Sequence, residues 1–260
     1  MDYKNILFSV DGGIAVITFN RPKALNAMNS ETMTELKDAV SRCRDDEAVK
    51  TIILTGSGDK AFVAGADIAQ MQNLEPREAL AFMEHGHETL RLLETTPKPT
   101  IAAVNGFALG GGTEISMACD IRFASEKARF GQPEILIGLI PGWGGTQRLT
   151  RLVGLGRAKE LVMGGEQIDA QRAYEIGLAN RVYPADQLME ETMKFARKLA
   201  SMPPFAIKMA KHAMNFGYDL SLDNANRLEC ECCAQCFSTR DQKEGMSAFL
   251  EKRKPNYTGR

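Results

Sequence analysis

The chain has 260 residues, 44% hydrophobic and 25% charged, with a formal net charge of −1. This is a globular composition, long enough for one large domain or two small ones. The near-zero charge, without a basic stripe, excludes the electrostatic footprint of a nucleic-acid binder, and no apolar run approaches the ~20 residues of a membrane span. The first residues, Met1-Asp2-Tyr3-Lys4-Asn5, run almost straight into a strand pattern. They have neither a signal peptide's apolar core nor an Arg-rich transit segment, so the expected location is the cytoplasm. Phe8 to Phe19 reads as a β-hairpin, with Asp11-Gly12-Gly13 as the turn. A loop, Asn20 to Met28, ends at Asn29-Ser30, an N-cap pattern. The helix that follows carries Met33, Leu36, Val40 and Cys43 on one face.

Thr51 to Gly56 is a short buried strand. After a turn comes Ala61-Phe62-Val63-Ala64-Gly65-Ala66-Asp67-Ile68, whose small residues let a ligand approach the backbone closely; a tight turn reads the same way. Glu75 to Leu93 is an amphipathic helix with Leu80, Met83, His87 and Leu90 at helical spacing, which puts His87 on the apolar face as a core or rim residue. Pro97 and Pro99 stop it.

Ile101-Ala102-Ala103-Val104 reads as a buried strand broken at Asn105-Gly106. Gly110-Gly111-Gly112 then leave backbone N–H groups unshielded where a helix N-terminus is expected, and Glu114 opens the helical segment. Orphan donors and the positive end of the dipole collect there and stabilise negative charge on a ligand or transition-state oxygen. Twenty residues on, Glu134 sits between turn formers and the apolar run Ile135-Leu136-Ile137. A carboxylate beside apolar residues tends to a raised pKa, which suits acid–base work. Each glutamate alone also fits a purely structural role. The glycines of Gly142-Trp143-Gly144-Gly145 do not make a dinucleotide fingerprint, because Gln147 stands where the third glycine belongs. There is no P-loop, no Gly-x-Ser-x-Gly elbow and no His-Glu-x-x-His.

From Arg148 onward the chain reads as mostly helical. Gly154 and Gly177 fit C-caps, Asp169 an N-cap, and Pro203-Pro204 a break. A strand-rich half is thus expected before a helical half, with no repeat visible. Four of the six cysteines, Cys230, Cys232, Cys233 and Cys236, lie in one helical stretch. Four thiolates on a single helix cannot close a tetrahedron around one ion, so no metal is expected. They read as buried or interfacial thiols of a reducing compartment.

Three stretches, AFVAGADIAQM (61–71), TIAAVNGFALGGGTEISMACDIRFAS (100–125) and ARFGQPEILIGLIPGWGGTQRL (128–149), resemble the crotonase (enoyl-CoA hydratase) superfamily. The similarity runs from about Ile14 to Lys254. It implies an α/β fold, a crotonase-like spiral of ββα units, with residues 1–200 as the core and 201–260 as a C-terminal helical trimerisation region of the same domain. It implies an acyl-CoA substrate, a homotrimer or a homohexamer built as a dimer of trimers, and no cofactor, since coenzyme A is part of the substrate. Glu114 and Glu134 stand where hydratase members have both glutamates. By the same resemblance Glu114 activates water and Glu134 delivers a proton, although the residues alone do not assign the roles. Ala66 and Gly111 take the positions of the oxyanion-hole N–H donors. Lys23, Ala24, Leu25, Ala64, Asp67 and Ile68 fall in coenzyme A or substrate positions, and Trp143 in the loop near the acyl group. Ala69 replaces a lysine common in relatives, and Lys252 and Lys254 are candidates for a phosphate contact across a subunit boundary. The expected reaction is reversible addition of water to a short trans-2-enoyl-CoA such as crotonyl-CoA. A double-bond isomerase or another acyl-CoA lyase of the same fold is the alternative, and a non-catalytic coenzyme A binder a third.

Overall fold

The chain opens with β1 (Ile6–Asp11) and β2 (Ile14–Phe19), paired antiparallel from Ile6↔Phe19 to Asp11↔Ile14. The two turn residues, Gly12 and Gly13, have φ of 54° and 79°, the mirror-image turn that matches strand twist and that glycine adopts without strain. The computed structural model describes residues 3–260; Met1 and Asp2, the start of the N-terminal segment read above, lie outside the described residues. Helix α1 (Ser30–Asp45) is capped by Asn29, whose side chain accepts from Thr32 N–H at 2.8 Å, and it buries Met33, Leu36, Val40 and Cys43 as its spacing predicts.

A ββα unit then recurs three times. β3 (Thr51–Gly56) leads through β4 (Ala61–Val63) to α2 (Ile68–Met71) and α3 (Pro76–Thr95). β5 (Thr100–Val104) leads through β6 (Phe107–Leu109) to α4 (Gly111–Ala118). β7 (Ile121–Ser125) leads through β8 (Arg129–Gly131) and the 3-10 turn Pro133–Ile137 to α5 (Gly145–Val153). The remainder comprises α6 (Leu155–Gly164), β9 (Gln167–Asp169), α7 (Ala170–Glu175), β10 (Arg181–Tyr183), α8 (Leu188–Ala200), α9 (Pro204–Gly217), α10 (Leu222–Cys236) and α11 (Arg240–Leu250). Asp169 caps α7 by accepting from Arg172 N–H at 2.7 Å.

The first strand of each unit joins a six-stranded sheet, in the order β1-β2-β3-β5-β7-β10, and the second joins a four-stranded sheet, β4-β6-β8-β9. Within each sheet the repeated strands run parallel. Buried strands of this kind show continuous apolar runs because both faces are covered. Ile52, Leu54, Ala102 and Val104 point into the main core, while Ile53, Ile101 and Ala103 pack with Leu188 and Ala196 of α8.

Three sequence expectations need correction. The helical half contains two strands: β9 pairs antiparallel with β8, and β10 parallel with β7. Three residues are too few for alternation to register. Phe107–Leu109 is a strand for the same reason, not part of a loop into the glycines. In α3, Leu80 is 59% exposed and His87 is also exposed; the buried line is Gly86, Thr89, Leu90 and Leu93. That line runs through a glycine because Trp143 occupies the space beside it: a methyl built on Gly86 would lie 2.1 Å from the indole Nε1.

Helix α4 is fixed at both ends. At its C-terminus the buried Arg122 donates to Cys119 O at 2.7 Å and Ser116 O at 3.3 Å, and through Nε to Leu178 O at 2.7 Å. A cation there satisfies orphan carbonyls and complements the dipole. At its N-terminus Gly112 lies against β4, where a methyl would come 1.8 Å from Val63 O. Because the obstacle is backbone, Gly112→Ala is expected to cost about 3 kcal/mol. Urea denaturation would measure this, and a loss well under 1 kcal/mol would show that α4 can shift off β4.

Candidate active site

The second strands of the three units, β4, β6 and β8, run parallel, so their C-terminal ends fall along one edge of the sheet. Each is followed at once by a segment of interest: 64–66 after β4, 110–111 after β6 and 132–134 after β8. Carboxyl ends of parallel strands are where ligand crevices form in open α/β sheets. A cavity of about 240 Å³ lies there, lined in part by Ala64, Ala66, Gly111, Glu114, Glu134 and Trp143. A larger cleft of about 460 Å³ beside α9 contains instead the Lys211–Asp120 ion pair at 2.8 Å, which fastens α9 to the core.

Helix α4 begins at Gly111, three residues before the start expected at Glu114, with Gly110 (φ 50°, ψ −119°) as its cap. Only glycine fits Gly110, because φ is positive and a methyl would lie 2.7 Å from Glu134 Oε1. A methyl on Gly111 would meet the Trp143 ring at 2.5 Å and stand 3.6 Å from Ala66 N. The Ala66 and Gly111 N–H groups are therefore neighbours, and neither has a backbone partner among the described residues. Met28 N–H donates to Gly65 O and Asp67 N–H to Met28 O, which fixes the peptide planes on either side of Ala66.

Glu114 is 2% exposed. Its Oε1 accepts from the N–H groups of Trp143 and Gly145, both at 2.7 Å. Gly145 is the first residue of α5, so this carboxylate occupies a helix N-terminus, where negative charge is favoured. Burial still dominates and pushes the Glu114 carboxyl up to about 7; the Gly145 and Trp143 N–H groups and Arg148 oppose the rise, and Glu134 adds to it. Glu134, on the 3-10 turn, is also raised by burial. Gln132 is fully buried beside it, and with its amide nitrogen toward the carboxylate it donates to both oxygens, at 2.9 and 3.1 Å. In the apolar run after Glu134, Ile135, Leu136 and Ile137 are 43%, 70% and 52% exposed, and Leu136 and Ile137 line the cavity with it.

Of the other positions singled out in the sequence, Ala64, Ile68 and Trp143 line the cavity. Trp143 is 2% exposed, with its ring centroid 5.4 Å from that of Phe82. Lys23, Ala24 and Leu25 lie outside the cavity on an exposed 3-10 turn, joined to it through Ala64 N–H donating to Leu25 O at 3.1 Å. Asp67 is paired with Arg21 at 2.9 Å and serves as a brace. Lys252 and Lys254 are exposed, remote in sequence from every residue lining the cavity. The cysteine cluster lies on α10, with Cys232 buried and Cys230 and Cys233 exposed. Sequence reasoning missed Gln132 and the Trp143 and Gly145 N–H groups. The available signal was Gly144-Gly145 ahead of a helical pattern, which marks a site for a carboxylate as readily as for a phosphate.

The profile of the enoyl-CoA hydratase/isomerase family matches residues 9–260. A crotonyl-CoA hydratase of Syntrophomonas wolfei is 51% identical over 257 residues, covering 99% of both chains. A short-chain-enoyl-CoA hydratase of Clostridium acetobutylicum is 49% identical over 254 residues, covering 98% of this chain and 97% of the relative. Among solved structures, an enoyl-CoA hydratase from Bacillus anthracis superposes with a TM-score of 0.96 at 39% identity, covering 99% of this chain and 100% of the other.

Proposed function

The chain belongs to the enoyl-CoA hydratase/isomerase family, and from that premise we propose that it adds water reversibly to short-chain trans-2-enoyl-CoA, crotonyl-CoA above all, using Glu114 and Glu134 as its acid–base pair. It is a lyase of this family, as are relatives of about the same length. The observation that carries the assignment of roles is the convergence on one cavity of two desolvated carboxylates and two adjacent N–H groups without backbone partners.

In the hydration direction, the thioester oxygen lies between the Ala66 and Gly111 N–H groups. Glu114, with Oε1 held by two donors, uses its other oxygen to take a proton from water. The hydroxyl adds to C3, the electron pair moves onto the thioester oxygen as an enolate, and Glu134 protonates C2. Burial raises both carboxyls, Glu114 to about 7, which brings both toward the range for proton exchange near neutral pH; the order of base and acid follows the resemblance to hydratase members. No step calls on a group other than these residues, water and the substrate. Lys23, Ala24, Leu25, Asp67 and Ile68 form the approach for coenzyme A. Residues 201–260 serve subunit association into trimers or hexamers: Met214, Leu222, Phe249 and Leu250 on these helices are 67%, 74%, 83% and 80% exposed, more apolar surface than a monomer usually leaves open.

The test is the loss of enoyl-thioester ultraviolet absorbance with crotonyl-CoA and longer acyl chains. Rapid loss with crotonyl-CoA is expected; tight binding without loss at any chain length would turn the reading toward an isomerase or a binding protein. Acyl length is set by the apolar end of the cavity. Met83 Sδ would stand 2.3 Å from a methyl on Gly142, so this thioether closes the space beside Trp143. Met83→Ala is expected to raise kcat/KM for the six-carbon substrate over the four-carbon one by about 10-fold. An unchanged ratio would place the length limit elsewhere.

A further inference from the structure

Glu114 keeps its geometry only if the Trp143–Gly145 segment keeps its own, because both of its hydrogen bonds come from that backbone. The buried indole of Trp143 anchors one end of the segment, and Gly144 turns it with φ 103°. One side chain fastens it from outside. Arg148, on the first turns of α5, donates through Nη1 to Trp143 O at 2.9 Å. The same guanidinium grips Glu94 of α3 with both remaining prongs, Nε to Oε1 at 3.1 Å and Nη2 to Oε2 at 2.9 Å. The Arg148 and Glu94 side chains are 16% and 39% exposed. A methyl on Gly144 would meet Nη1 at 2.2 Å, so the guanidinium lies directly against this glycine.

We propose that Arg148, anchored by Glu94, is a positioning residue of the active site: it clamps the Trp143 carbonyl so that the Trp143 and Gly145 N–H groups stay aimed at Glu114. The inference rests on the proposed role of Glu114. A two-pronged guanidinium suits the task because its planar fork fixes direction as well as charge, which a lysine does not. Only a few charged groups bear on Glu114. Glu134 faces it from the 3-10 turn and Arg148 from α5, and their effects are opposite. Behind Arg148, α3 presents Glu94 and also His87, whose Cε1 would lie 3.8 Å from a methyl on Gly144.

Arg148→Met, Arg148→Lys and Glu94→Gln in the full-length assembly test this by two readouts. The first is the pH profile of crotonyl-CoA hydration. The second is isotope-edited infrared titration of the Glu114 carboxyl, identified by its absence in Glu114→Gln. In Arg148→Met the Glu114 midpoint and the acid limb of kcat/KM are expected to move up by about one pH unit. In the same variant kcat should fall about 10- to 100-fold with KM little changed, and the loss should shrink toward high pH. Arg148→Lys keeps the charge and loses the fork, so its midpoint should stay near wild type while kcat falls. A Glu114 midpoint unmoved in Arg148→Met, with activity reduced by the same factor at every pH, would overturn the proposal. If Arg148→Met does not fold, Glu94→Gln decides: lowered kcat at wild-type KM supports the clamp, and unchanged kcat removes it. The infrared titration needs no turnover. A raised midpoint in Arg148→Met beside a wild type inert toward crotonyl-CoA would sink the hydratase reading and leave the clamp standing.

Discussion

Glu114→Gln is expected to lower kcat for crotonyl-CoA hydration by about 100- to 10,000-fold, with KM near its wild-type value. Gln keeps the shape and an oxygen that accepts from Trp143 and Gly145, so what is lost is the ability to take a proton from water. Glu134→Gln should fall in the same range, because it deletes the proton bound for C2. In the wild type, kcat/KM should fall as pH drops through about 7, where Glu114 becomes neutral. Stability moves in the opposite sense to activity. The folded-state pKa of Glu114 is raised to about 7 from the ordinary 4.5. Between these values the unfolded chain gives up a proton that the folded protein keeps, so folding stability declines as pH rises. Glu114→Gln should therefore be more stable than wild type at pH 8, by up to about 3 kcal/mol, and the gain should vanish below pH 4.5. Denaturation at both pH values, alongside turnover, checks the pair of effects. Full activity in both Gln variants would end the two-carboxylate mechanism.

Removing one N–H of the pair beside the cavity is the second large effect. The Ala66 N–H has no backbone partner among the described residues. Ala66→Pro therefore deletes a donor without breaking a bond that holds the fold. The expected cost is about 3–4 kcal/mol in the barrier, or roughly 100- to 1,000-fold in kcat. Because Gly65 has φ 100°, a ring at position 66 also constrains its neighbour, so the companion measurement is an amide-to-ester replacement at Ala66. The ester deletes the hydrogen and leaves the space open. Equal losses in the two forms would assign the effect to the donor. A loss in Ala66→Pro alone would assign it to geometry and remove Ala66 from the oxyanion site.

The order of the elements around the site was legible from residues alone, because each has a local cause. Gly12-Gly13 forces a hairpin, Asn29 caps a helix, and the apolar runs 51–56 and 100–104 are strands covered on both faces. Glu114, Glu134 and the glycines between 110 and 112 stood out because a helix start without side chains exposes N–H groups wherever it occurs. The resemblance to crotonases turned those into a named reaction. Other features had no local cause. The threefold ββα repeat is a repeat of geometry: its second-sheet strands are three residues long and share no residue pattern, so periodicity had nothing to register. The buried face of α3 runs through Gly86 because an indole 57 positions on fills the gap, and no spacing rule within α3 contains that information.

The sequence by itself determined the types of residue that carry charge and approach the ligand, and most of the helices and strands, because hydrophobic period, caps and turns act within a few residues. Only the tertiary structure decided that three separate strand ends meet at one cavity and that Glu114 is held by the start of α5. It alone joined Gln132 to Glu134 and Arg148 to Glu94. Those contacts span from two to 54 positions. Burial, which raises both carboxyl pKa values, depends on what the whole chain stacks around a site.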